Sequence, residues 1–99
     1  MIFDCMILGS GPAGLSAALY VGRAGFSGVL LTGPEEGGKL LLTDKIENYP
    51  GFSTGSGLEL IETIQKQVLA TGISYKKESA VHVSLNSYPF EIQTENTRR

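Results

Sequence analysis

Ile7-Leu8-Gly9-Ser10-Gly11-Pro12-Ala13-Gly14 decides how this sequence is read. Its three glycines are spaced G-x-G-x-x-G, and they follow an apolar run over residues 2–8 that only Asp4 interrupts. Such a run ending in glycines predicts a short strand buried on both faces in a parallel sheet. Pro12 stands where a helix would begin. Proline suits that position because its missing N–H is one a helix start leaves unbonded anyway. Residues 15–24 are rich in alanine and leucine, which favour helix, and Gly25 is placed to close it. Residues 28–32, Gly-Val-Leu-Leu-Thr, predict a second buried strand.

Downstream, residues 33–57 show no period and carry Gly33, Pro34, Gly37, Gly38, Pro50, Gly51, Gly55 and Gly57. A loop of about 25 residues inside a compact domain is usually functional or disordered. The aromatic stretch Asn48-Tyr49-Pro50-Gly51-Phe52 favours an ordered ligand or substrate loop. Ser56-Gly57-Leu58-Glu59 matches a capping box, serine with glutamate three residues on. Leu60, Ile61, Ile64, Val68 and Leu69 then recur at helical spacing until Thr71-Gly72. Ile73-Ser74-Tyr75 predicts a third parallel strand. Residues 80–85 and 88–94 alternate about Asn86-Ser87 and predict a small β-meander or hairpin. Alternating strands and helices imply an α/β fold with right-handed crossovers and a parallel sheet.

Composition narrows the function classes. The 99 residues are 41% hydrophobic and 18% charged, ordinary for a globular chain, but 13 are glycine. The net charge of −2 comes with no basic stripe, which argues against a nucleic-acid partner. No apolar run reaches the roughly 18 residues of a membrane span. Asp4 and the lack of a basic leader argue against a secretory signal, so a cytoplasmic location is expected. Cys5 is the single cysteine, too few for a disulfide, a CxxC pair or a zinc site. Among Phe3, Met6 and Ile7 it reads as a small buried hydrophobe. His82, in an alternating strand, reads as a surface histidine.

The glycine element has the context of a dinucleotide site, with a strand before it, a helix after it and a second strand closing the unit. Gly9 would permit the tight turn, Gly11 the approach of backbone to a pyrophosphate, and Gly14 the packing of helix on sheet. The helix N-terminus would offer free N–H groups and a positive dipole end to the phosphates. Glu35 and Glu36 lie 21 and 22 residues beyond Gly14, near the offset at which such folds hold a ribose hydroxyl. A carboxylate there also repels a 2′-phosphate. The implied architecture is a Rossmann-like FAD/NAD(P)-binding fold.

With those residues in view, the chain resembles the N-terminal part of the low-molecular-weight thioredoxin reductases. Ile7 to Gly14, Ala17-Ala18-Leu19-Tyr20, Arg23-Ala24, Leu31-Thr32-Gly33 and Gly37-Gly38-Lys39-Leu40 carry the likeness. Ile46-Glu47-Asn48-Tyr49-Pro50-Gly51-Phe52 is its most distinctive part. One departure is Lys39, where the family usually has glutamine.

The resemblance implies a two-domain flavoenzyme in which FAD passes electrons from NADPH to a CxxC dithiol and on to thioredoxin, in a homodimer. It implies that FAD lies on Gly9, Ser10, Gly11, Pro12, Ala13 and Gly14, and along Thr32, Gly33, Glu35, Gly37, Gly38, Lys39 and Leu40. It also brings Asn48 near the flavin and the segment of Ala80 and Val81 near the adenine. Glu35 is favoured over Glu36 as the ribose contact on the same ground. The CxxC, the second glycine fingerprint for NADPH and the later FAD segment do not occur in these 99 residues. The expectation is therefore an incomplete fold, the N-terminal part of an FAD-binding domain. A ferredoxin–NADP reductase-like flavoenzyme and a noncatalytic nucleotide-binding module are the competing readings.

Overall fold

The computed structural model describes residues 2–52 and 54–95. The elements run β1 (Cys5–Leu8), α1 (Pro12–Arg23), β2 (Gly28–Leu31), a 3₁₀ turn (Gly38–Leu42), α2 (Gly57–Ala70), β3 (Ser74–Lys76), β4 (Ala80–Ser84) and β5 (Glu91–Thr94). The fold is α/β, as expected. β1, β2 and β3 form a parallel sheet in that order, with Ile7 opposite Leu30 and Leu30 opposite Tyr75. β4 and β5 form a separate antiparallel pair, so the described residues make a hairpin.

Local chemistry sets the element ends. Pro12 opens α1, and Gly25, with φ of 86°, follows its C-cap Ala24. Ser56 and Glu59 close a full capping box on α2, the glutamate amide donating to Ser56 Oγ and the Ser56 amide to Glu59 Oε1. Both helices cover one face of the sheet. Ile7 and Leu30 meet Leu15 and Ala18 of α1 and Leu60, Ile61, Ile64 and Val68 of α2 in one core. Leu69, counted with that stripe by spacing, is instead half exposed.

The second sheet face, Met6, Val29 and Leu31, looks across a groove of about 530 Å³ toward Phe90 and Ile92. β2, the middle strand, is buried throughout. β1 departs from the expectation of burial on both faces: only Ile7 is buried, and Leu8 is 52% exposed. The reason is position, since β1 is an edge strand of the described sheet. The loop of residues 33–57 is ordered by the 3₁₀ turn and by bridges from Ile46 to Gly55 and Tyr49 to Phe52. Gly57 already belongs to α2. Tyr49 and Phe52 pack against the hydrophobic core.

Candidate functional site

β1 and β2 end side by side, and the chain leaves both at the same edge of the sheet. There a groove of about 390 Å³ is lined by Leu8, Gly9, Ser10, Gly11, Leu31, Thr32, Gly33, Pro34, Glu35, Gly38, Ser79 and Ala80. It lies at the carboxyl ends of parallel strands, where open α/β sheets bind their ligands.

The glycine loop is shaped by contacts that admit no side chain at Gly14. A Cβ there would come 2.2 Å from the carbonyl oxygen of Gly9, so α1 rests directly on the turn. The Gly9 amide donates to Leu31 O at 2.8 Å and fixes that turn to the end of β2. Gly11 behaves differently. A Cβ at Gly11 would meet only ordinary van der Waals contacts, with Gly37 O and Gly38 Cα at 3.9 Å, so the protein itself tolerates a methyl there. Gly11 is the N-cap of α1, without a side-chain cap, and the first turn holds no acid. Leu15 N–H is the first amide of the helix to find an acceptor, Gly11 O at 3.0 Å. Ala13 and Gly14 precede it, so the positive end of α1 is unneutralised where an anion would sit.

The loop after β2 forms the other wall. Thr32 and Gly33 amides donate to Lys76 O and Glu78 O, each at 3.0 Å. The Gly37 amide donates to the buried Ser10 Oγ at 2.9 Å, and that hydroxyl lies 3.5 Å from Thr32 O. Gly37 and Gly38 have φ of 86° and 68°, left-handed values that favour glycine. A Cβ on Gly38 would stand 3.2 Å from Gly11 Cα, so the two loops touch backbone to backbone.

The acid pair is split. Glu35 lines the groove, and its carboxylate bonds to no described residue. Glu36 turns away: Tyr75 Oη donates to Glu36 Oε2 at 2.7 Å, Gln65 Nε2 lies 3.4 Å from that oxygen, and Lys77 Nζ lies 3.7 Å from Oε1. Burial first, and then the Glu36 carboxylate beside it, pushes the Tyr75 phenol up to about 12.

Of the residues picked from sequence, Gly9, Ser10, Gly11, Thr32, Gly33, Glu35 and Gly38 line this groove. Pro12, Ala13 and Gly14 stand behind it in the first turn of α1, and Gly37 is buried beneath it. Lys39, Leu40, Asn48 and Val81 are not among its lining residues. Leu40 packs against the core, while Lys39, Asn48 and Val81 are exposed. Ser79 and Ala80 face the groove beside Val81. Pro34 and Ser79 also line the groove, and no motif in the sequence marks either as part of it. His82 is exposed, as read, and Cys5 is half buried in β1. No cluster of three metal-ligating side chains occurs among the described residues.

No family model matches the chain. A thioredoxin reductase of Rickettsia bellii (strain RML369-C) is 40% identical over 90 residues, which is 90% of this chain and 29% of that protein. A bifunctional thioredoxin reductase/thioredoxin of Mycobacterium leprae (strain TN) is 41% identical over 85 residues, 85% of this chain and 19% of that protein. The solved thioredoxin reductase of Giardia duodenalis superposes with a TM-score of 0.90 at 30% identity, over 97% of this chain and 31% of the other. The chain thus spans about three-tenths or less of the length of the relatives it matches. In sequence and in three dimensions alike, the chain is similar to thioredoxin reductases over nearly its whole length.

Proposed function

We propose that this chain is the FAD-binding segment of an NADPH-dependent thioredoxin-disulfide reductase. One observation carries the reading: the groove at the ends of β1 and β2 joins the uncapped start of α1 to the unpaired carboxylate of Glu35. The first suits a pyrophosphate and the second a ribose diol. In this reading Gly9, Ser10, Gly11, Pro12, Ala13 and Gly14 receive the pyrophosphate. Thr32, Gly33, Glu35, Gly37, Gly38, Lys39 and Leu40 follow the adenosine side, Asn48 approaches the flavin, and Val81 with Ala80 approaches the adenine. The bound flavin would supply the electron-transfer chemistry, accepting hydride from a nicotinamide. The residues of this chain bind and orient it, and none of them is assigned a catalytic role.

The names of the relatives support thioredoxin as the electron acceptor, most directly where reductase and thioredoxin are joined in the Mycobacterium leprae protein. A homodimer and a cytoplasmic location belong to the same proposal. No described helix is long and apolar enough to cross a membrane.

The test is a titration of the purified chain with FAD, followed by flavin absorbance and fluorescence. The wild-type chain is expected to retain a yellow flavin. Gly11→Ala should keep the melting temperature, because its Cβ has room within the protein. It should weaken FAD roughly tenfold or more, because the methyl intrudes where the pyrophosphate lies. A chain that holds no flavin at saturating FAD overturns the reading.

A further inference from the structure

Glu35 and Glu36 are neighbours in sequence, yet only Glu35 is left to the groove. The loop that carries them is tied at both ends by backbone, through Thr32 and Gly33 to residues 76 and 78, and through Gly37 to Ser10 Oγ. Between those ties, across residues 34–36, Glu36 makes the only side-chain bonds among the described residues. Its main partner is the Tyr75 hydroxyl, presented by β3 from the face of the sheet that packs on the helices. A 2.7 Å bond from a phenol to a carboxylate is of the strong, charge-assisted kind. Gln65 adds a second donor from α2. The loop is thus fastened to two elements that take no part in the groove.

We infer that Glu36 and Tyr75 are a positioning pair for the groove: by fixing residues 34–37 they hold the Glu35 carboxylate toward the hydroxyls of an adenosine ribose. The pair therefore sets the preference of the site for a ligand with an intact ribose diol. This rests on the nucleotide reading of the groove given above. The mechanism is geometric. With the chain tied at residues 33 and 37, the bonds from Tyr75 and Gln65 to Glu36 hold the backbone between those ties and so restrict the orientations open to Glu35.

The experiment compares ADP with 2′-deoxy-ADP by calorimetric titration of the full chain. The wild type is expected to prefer ADP roughly tenfold, the effect of one hydrogen bond to a charged group. Tyr75→Phe keeps the ring and removes the hydroxyl, and Glu36→Ala removes the acceptor and leaves Tyr75 packed. Both should bind ADP more weakly and lose most of the preference for it. Glu36→Gln, which still offers an oxygen to the phenol, should retain most of both. A purely structural role would lower ADP and 2′-deoxy-ADP affinity alike and leave their ratio unchanged, and that result in Glu36→Ala overturns the proposal even if Tyr75→Phe fails to fold. A wild-type chain that binds ADP without preferring it overturns the proposal alone. A wild-type chain that binds neither ADP nor FAD overturns the nucleotide reading with it.

Discussion

A methyl group added at Gly14 would overlap the carbonyl oxygen of Gly9, whereas one added at Gly11 would make only ordinary contacts at 3.9 Å. The two positions belong to one motif and have opposite physical roles. Gly14→Ala forces α1 off the turn or the turn off β2, and overpacking of this kind costs about 1–3 kcal/mol. The expected result is a lower midpoint in urea with unchanged slope, whether or not a ligand is present. The glycine roles were legible in the sequence because they follow from spacing alone. The division between Glu35 and Glu36 was not. It depends on Tyr75 and Gln65, which reach Glu36 across 39 and 29 positions, and no local pattern marks such a contact. The resemblance favoured Glu35 as the ribose contact; the contacts leave Glu35 at the groove and tie Glu36 to Tyr75.

The helices illustrate the same limit at the next scale. Ser56 and Glu59 announced the start of α2 because a capping box is complete within four consecutive residues. Replacing Ser56 with alanine removes the acceptor for the Glu59 amide and should cost about 1 kcal/mol, readable as a fall in thermal midpoint. Leu69 fits the periodic stripe, but it lies on its flank, half exposed beside Val68, which is fully buried. The 3₁₀ turn of Gly38–Leu42 also escaped the reading, since its sequence has no period and its place is set by contact with α2. A Cβ on Gly57 would strike the carbonyl oxygen of Leu40, which shows how closely the turn and the helix start are fitted. Lys39 and Asn48 rested on resemblance alone, and their exposure follows from loop conformations that no local signal specifies.

Across the whole molecule, both helices lie on one face of the sheet and the hairpin stands off the other. Tyr75 connects β3 to the groove wall, so its ionisation acts on overall stability. Its folded pKa of about 12 lies above the ordinary value of 10.0. The contribution it makes is therefore complete below pH 10 and is lost as pH climbs from 10 toward 12. Urea unfolding across that window should show a decline that is shallower in Tyr75→Phe, with Glu36, Lys77 and Gln65 unchanged around it. An equal decline in both proteins would assign the alkaline loss to other groups.

Every strand pairing described joins strands consecutive in sequence: β1 with β2, β2 with β3, and β4 with β5. None has to wait for a distant part of the chain. During synthesis each pair is available to close once its second member has left the ribosome, so the sheet can grow in the order in which it is translated. The wall carrying Glu35 gains its tie to β3 only when Tyr75 emerges, and the groove closes once Ser79 and Ala80 have followed, which makes it a late product of an otherwise stepwise assembly.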